Sequence, residues 1–253
     1  MQKCDHRGVS EAIGFILILM IVLLSISMVT LYGYPMLLKQ QISTDFRNME
    51  QNMVVLQNDM IGIAYRSVPY SETTMKVGSG VMKIIPSGDG GSSFTVSTDL
   101  GDSFEPFQPG LILYHSDDNT QEIAIENGAV IERQPLYTGS AMLSRPRSFY
   151  DPDTSTLLIN MIMINAGERT TATGITTVQT EIIPASPTTI SDVPVTDLVT
   201  MTFTKDDDRD YSTAWRYYLT EYLGMTETAA DTYTKTGVNR LIIRQTHVNT
   251  GII

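Results

Sequence analysis

The residues that could bind a metal ion lie in one acidic segment. Asp206, Asp208 and Asp210 alternate along the chain, with the 1, 3, 5 ligand spacing of a calcium-binding loop. Such a loop also needs glycine at its sixth position and glutamate at its twelfth, where this sequence has Tyr211 and Tyr217. The three aspartates are candidate ligands, but the simpler interpretation is a solvated loop that caps the following helix. The sequence therefore predicts no metal site.

Side chains that act as nucleophiles or bases are few. The chain has one cysteine, Cys4, and three histidines, His6, His115 and His247. A single cysteine excludes an intrachain disulfide and a cysteine-based zinc site. The sequence has no nucleophile elbow, zinc-protease motif or P-loop. We therefore expect a protein that is not an enzyme and takes no cofactor.

The charge balance limits the partners. There are 28 acidic and 17 basic residues, for a net charge of −11. A surface of this sign repels phosphate backbones, so nucleic acid is excluded as an expected partner.

An apolar segment near the N-terminus is the strongest pattern. Residues 12–32 carry no charge, and 13 of these 21 residues are Leu, Ile, Val or Phe. As a helix they would span roughly 32 Å, enough for a bilayer core. Lys3 and Arg7 precede them, which places residues 1–8 in the cytoplasm. The residues expected to form this membrane and assembly helix include Ala12, Ile13, Gly14, Phe15, Ile16, Leu17, Leu19, Ile21, Leu23 and Leu24.

Two other interpretations of this segment stay open. It could be a buried helix of a soluble protein, or a secretory signal peptide that is removed. The apolar stretch is much longer than the usual 7–15 residues of a signal peptide, and no A-x-A cleavage site follows it.

A second helical pattern follows Pro35, which we expect to kink the helix rather than end it. Apolar residues recur in steps of four and three, the spacing of a heptad seam. The seam residues are Ile42, Phe46, Met49, Met53, Leu56, Met60 and Ile63. This stripe could pack on the protein's own head domain or on neighbouring subunits.

From residue 67 onward the pattern changes to short alternating strands separated by turns. The clearest is a hairpin over residues 122–133, in which Asn127-Gly128 predicts a type I′ turn. A helix near 211–223 carries Trp215 and Tyr218 on one face, and Gly224 marks its end.

The residues before the apolar segment indicate how the chain is processed. Residues 5–11 read DHRGVSE, so a charged residue and a glycine directly precede the helix. This arrangement resembles the class III signal of archaeal type IV pilin-like proteins. The resemblance implies that a prepilin peptidase cuts between Gly8 and Val9, next to Arg7, and that the helix stays in the mature chain. Glu11 stands where many members of that family have proline.

These patterns predict an α+β fold. A long N-terminal transmembrane and stalk helix precedes a β-rich extracellular head, built as an antiparallel sheet or sandwich with one short helix near 211–223. The expected boundaries are a cytoplasmic leader at 1–8, the transmembrane helix and stalk at 9–66, and the head at 67–253.

The resemblance also implies a function. The protein would be a minor or specialised structural subunit of an archaeal type IV pilus-like surface filament, held in the cell membrane before assembly. Its partners would be the membrane, pilin-like subunits in a homo- or hetero-oligomer, the prepilin peptidase and the pilus assembly machinery. The alternative is a membrane-anchored surface protein that never polymerises and binds an envelope component or ligand.

Overall fold

A computed structural model gives the backbone of the protein over residues 7–66, 68–167, 170–183 and 188–253, with side chains from residue 12 onward in those ranges. The chain divides into two compact units, Met1–Thr44 and Asp45–Ile253.

The described part of the first unit is helical. Helix α1 (Arg7–Met28) runs through a π-helical segment (Val29–Gly33) into helix α2 (Tyr34–Arg66). The hydroxyl groups of Ser25 and Thr30 each donate to a carbonyl oxygen one turn earlier, at 2.8 and 2.9 Å. These polar side chains are therefore satisfied by their own helix.

The helix continues through Pro35. Proline lacks a backbone N–H, and its ring clashes with the carbonyl group four residues earlier in a regular α-helix. Here the backbone N–H of Tyr34 donates to the carbonyl oxygen of Val29, five residues earlier. The widened turn accommodates the proline, and the helix does not end there.

From Phe46 onward, the predicted seam is buried inside the second unit. Ile42 belongs to the first unit and is half-buried. The other six seam residues are exposed by 1% or less: Phe46, Met49, Met53, Leu56, Met60 and Ile63. Because these residues pack on the chain's own sheet, the compact unit begins at Asp45, earlier than the head boundary expected at residue 67.

Strands make up most of the second unit. They are β1 (Tyr70–Ile85), β2 (Ser93–Thr98), β3 (Leu111–Ser116), β4 (Glu122–Glu126), β5 (Ala129–Arg133), β6 (Ser140–Ser144), β7 (Phe149–Asp151), β8 (Thr156–Ala166), β9 (Thr171–Ile182), β10 (Thr189–Pro194), β11 (Val199–Thr204), β12 (Thr226–Ala229), β13 (Thr232–Lys235) and β14 (Arg240–Ile252). Helix α3 (Ser212–Tyr217) continues as a π-helical segment (Tyr218–Tyr222) between β11 and β12.

The strands form two sheets. The large sheet has the order β6-β5-β4-β3-β1-β9-β14-β8-β7, and β10 pairs with the first half of β14. The small sheet has the order β12-β13-β11-β2. The described pairs are antiparallel except for β14 and β8, which run parallel along eleven residue pairs. That one pair departs from the antiparallel arrangement that the sequence suggests.

The large sheet has an apolar core on each face. One face, which includes Ile112 and Ile125, packs on the seam of α2. The opposite face, which includes Leu113 and Ala124, packs on the small sheet and α3. Successive residues of a strand point to opposite faces, so β3 and β4 serve both cores. The layers are helix, large sheet, and small sheet with α3, which confirms the predicted α+β fold.

The hairpin between β4 and β5 has the predicted turn. Asn127 and Gly128 have φ angles of 48° and 71°, as a type I′ turn requires. The tip is buried instead of solvated, because it docks on two other elements. Asn127 Oδ1 accepts a hydrogen bond from the backbone N–H of Ile162 in β8 (3.0 Å), and Gln57 Nε2 of α2 donates to the carbonyl oxygen of Gly128 (2.6 Å).

The sequence predicts a helix end at Gly224 and places Pro184, Pro187 and Pro194 in loops or at sheet edges. Gly224 has a φ of +60° directly after the predicted helix, in agreement with its role as the stop signal. Pro194 ends β10, which pairs only with β14 among the described strands. Pro184 and Pro187, which the sequence places in loops or at edges, lie outside the described residues.

Candidate functional site

The largest unpartnered surface of the described chain is the apolar helix. Every large apolar side chain from Ile13 to Leu38 is exposed. By length and composition the run Ala12–Arg66 is long and apolar enough to cross a membrane, and none of its most apolar window is buried. A buried helix of a soluble protein would be covered by its own chain, so that interpretation does not fit. The surface can instead contact lipid or apolar helices of other molecules.

The predicted assembly residues, from Ala12 to Leu24, all lie on α1. The predicted processing residues Arg7, Gly8 and Val9 lie at the start of the same helix, and their backbone is helical. Their side chains are outside the described set.

Two of the three candidate metal ligands, Asp206 and Asp210, accept backbone hydrogen bonds, and the third, Asp208, is exposed. Asp206 accepts from the backbone N–H of Gly91 (2.7 Å) and of Asp208 (2.8 Å). Asp210 accepts from the backbone N–H of Ser212 at the start of α3 (2.9 Å). The N-cap position itself is Tyr211, which forms no side-chain capping hydrogen bond. In the part of the chain that the structure covers, no three potential ligand side chains gather into a metal site.

The head domain also buries two carboxylates that face α3. Glu122 and Glu126 occupy the two ends of β4 and are 6% and 0% exposed. Glu122 Oε1 accepts from the hydroxyl of Tyr211 (2.6 Å) and lies 3.3 Å from Arg133 Nε. A buried carboxylate needs such partners because desolvation of its charge is unfavourable.

Glu126 has hydrogen-bond donors but forms no salt bridge with a described residue. Its Oε1 accepts from the backbone N–H of Ser92 (2.6 Å), and its Oε2 accepts from Trp215 Nε1 (2.8 Å). Burial raises the pKa of Glu126 above 4.5, and the two hydrogen bonds oppose that shift. Burial and the neighbouring Glu122 likewise raise the pKa of Tyr211, so its hydroxyl stays protonated and donates. Through these hydrogen bonds from Tyr211 and Trp215, the two glutamates of β4 hold α3 on the large sheet.

Replacing Glu126 with glutamine should make stability less sensitive to pH. A carboxylic acid whose folded-state pKa is raised stabilises the fold below its unfolded pKa, near 4.5, and this contribution is lost as pH rises through the folded pKa. At pH 4.5 we expect the free energy of unfolding of the wild type to exceed that of Glu126→Gln by about 1–3 kcal/mol. The reason is that the amide NH2 group cannot accept a hydrogen bond, so one of the two buried donors, Ser92 N–H or Trp215 Nε1–H, is left unpaired. This difference should shrink toward pH 8.

The measurement is urea unfolding of the full chain in detergent, followed by far-ultraviolet circular dichroism at each pH. Glu105→Gln is the control, because Glu105 is exposed. Its free energy of unfolding should differ from that of the wild type by the same amount at every pH. A Glu126→Gln difference that is also constant with pH would contradict the assigned shift.

Sequence reasoning missed this buried pair. The segment EIAIE looks like a strand with an outer polar face, whereas both faces are covered. The signal that could have found it is the aromatic stripe of α3, since Tyr211 and Trp215 carry polar atoms that need acceptors once buried.

The fold and the exposed helix define an α+β protein with an apolar N-terminal helix, long enough to span a membrane, and a β-rich domain. The chain belongs to a family of unknown function, DUF7289, whose model matches residues 7–253. No curated protein and no solved structure matches the chain significantly.

Proposed function

We propose that this protein is a structural subunit of a type IV pilus-like surface filament, assembled through its apolar N-terminal helix after cleavage behind Gly8. The main support is the contrast between two parts of one helical run. The apolar side chains of residues 13–38 are exposed, whereas the seam from Phe46 to Ile63 is already packed on the chain's own sheet.

This contrast determines which surface is free for association. The seam residues cannot contact a neighbouring subunit without leaving their own core. The exposed residues can exchange lipid for the helices of other subunits, an association driven by close van der Waals contact. Repeated along a filament, the exposed helices form its centre and the β-rich domains its outer layer.

Processing would prepare the helix for this exchange. Cleavage after Gly8 removes Lys3 and Arg7, two positive charges that hold the precursor at the cytoplasmic face of the membrane. The remaining helix begins with Val9 and carries no charge from residue 12 to residue 38. Its withdrawal from the bilayer then moves no basic side chain across the apolar interior.

Blocking the cleavage tests the proposal. We expect Gly8→Leu to accumulate as the uncut precursor, because a leucine side chain fills space that glycine leaves open to the protease. The protein should then be absent from filaments sheared off the native cells, as judged by electron microscopy and immunoblotting. Gly14→Ala is the matched control, since a Cβ at Gly14 meets nothing within 4 Å, and it should be processed like the wild type.

Filaments that form equally well from Gly8→Leu would contradict the proposal. So would a wild-type protein that stays uncut and leaves the membrane only as a monomer in detergent. That second result would favour the static, membrane-anchored surface protein.

A further inference from the structure

A groove on the β-rich domain has a composition that the filament role does not explain. It lies between α2, the connection over residues 144–150, and the π-helical segment after α3, and its volume is about 470 Å³. This is the size range of sites that bind small organic ligands. We call it the arginine groove, after Arg145 and Arg147, which line it with Gln57, Phe149, Tyr218 and Tyr222.

Hydrogen bonds fix the connection that carries the two arginines. Gln57 Nε2 donates to the carbonyl oxygen of Arg145 (3.1 Å), and Asn160 Nδ2 donates to that of Arg147. The hydroxyl of Tyr218 donates to the carbonyl oxygen of Ser148 (2.9 Å). The backbone is thus anchored on three separate elements, so binding a ligand would not require the connection to become ordered.

The charge of the arginine groove is opposite to that of the whole chain. The chain carries a net charge of −11, yet the groove is lined by two arginines and no acidic residue. Neither Arg145 nor Arg147 forms a salt bridge with a described carboxylate. The Arg145 guanidinium lies 3.5 Å from the ring centre of Tyr222. Stacking holds its plane in place while its N–H edge can still donate to an anion.

The exposed aromatic rings narrow the class of anion. Phe149 is 53% exposed and Tyr222 is 46% exposed, so aromatic surface is available to an apolar ligand face. An inorganic anion such as phosphate has no apolar face to place there, whereas an organic acid can have one.

We propose that the arginine groove binds an acidic saccharide of the uronic acid class. Its carboxylate pairs with Arg145 and Arg147, and the apolar face of the sugar ring lies on Phe149. A pyranose ring carries both features on one rigid frame, whereas an acidic peptide spreads them over freely rotating residues. This inference goes beyond the filament role and holds whether or not the chain polymerises.

Calorimetric titration of the full chain in detergent with trigalacturonate tests the proposal, with maltotriose as the neutral sugar. We expect trigalacturonate to bind and maltotriose to bind at least tenfold more weakly. Arg145→Gln and Arg147→Gln should each lower the affinity for trigalacturonate roughly 10- to 100-fold. Arg216→Gln, an exposed arginine outside the groove, should change it less than about twofold.

A triglutamate peptide distinguishes the two kinds of acidic ligand. Phe149→Ala should lower the affinity for trigalacturonate roughly 2- to 10-fold, because the contact with the sugar ring is lost. It should leave any affinity for triglutamate unchanged. The proposal is overturned if trigalacturonate does not bind, if Arg216→Gln matters as much as the groove variants, or if triglutamate binds as tightly with the same arginine dependence. The assay measures binding to the detergent-solubilised chain and needs no filament, so failure to form filaments does not affect it.

Discussion

Met53→Asp is expected to unfold the β-rich domain. Met53 lies in the middle of the α2 seam and is fully buried against the large sheet. The variant removes apolar contacts and buries a carboxylate that has no hydrogen-bond or charge partner. Together these two effects lower the free energy of unfolding by about 5 kcal/mol or more. This is comparable with the whole stability of a typical domain, about 5–15 kcal/mol.

The single tryptophan offers a direct readout of this unfolding. Trp215 is 1% exposed and lies in the core on the opposite face of the large sheet, so its fluorescence reports the whole domain rather than the site of the change. In urea titrations of the full chain in detergent, Met53→Asp should show the emission of exposed tryptophan at much lower urea than the wild type.

Val55→Asp is the matched control, since Val55 is on the same helix and is 51% exposed. It should change the free energy of unfolding by no more than about 0.5 kcal/mol. Equal midpoints for the two variants would mean that the seam does not support the chain's own sheet. Packing of the seam on neighbouring subunits would then be the better explanation of the apolar stripe.

Placing two arginines in the apolar helix should prevent its insertion into a membrane. Leu19 and Leu23 are one turn apart in the part of α1 that carries no charge. Each leucine-to-arginine change shifts the insertion free energy by about 3–4 kcal/mol. The sum, about 6–8 kcal/mol, matches the roughly 4–8 kcal/mol that the thirteen strongly apolar residues contribute. The double variant should therefore be lost from the alkali-resistant membrane fraction of the cells.

Leu100→Arg combined with Leu136→Arg controls for the added charge. Leu100 is as exposed as Leu23, at 57% against 55%, but it lies in the β-rich domain. This variant should stay in the membrane fraction like the wild type. A double variant of Leu19 and Leu23 that remains fully in the membrane would show that another part of the chain provides the anchor.

Local patterns in the sequence predict the elements whose partners are close in the chain. The uncharged run of residues 12–32 predicts the exposed helix, and the four-three spacing predicts which face of α2 is apolar. Asn127-Gly128 predicts the type I′ turn through the φ angles that these two residues tolerate. The sequence does not predict that the turn is buried, because the residues that cover it, Gln57 and Ile162, are distant in the chain.

Features that depend on distant contacts escape sequence reasoning. Strand β1 (Tyr70–Ile85) contains glycine and lysine among its apolar residues and lacks a clean alternation, so its pairing with β3 and β9 stabilises it more than its own propensity. The parallel pairing of β8 with β14 joins strands that are separated by five others. The arginine groove likewise takes its walls from three parts of the chain, and no local motif marks it.

The intact mass of the protein, taken both from membranes and from sheared surface material of its native cells, decides whether the apolar helix is processed and assembled as proposed. We expect a chain that begins at Val9 in the sheared material, with the precursor confined to the membrane. A chain that begins at Met1 in every fraction would contradict it. So would a chain that begins beyond Ser27, since the apolar helix would then be discarded instead of assembled.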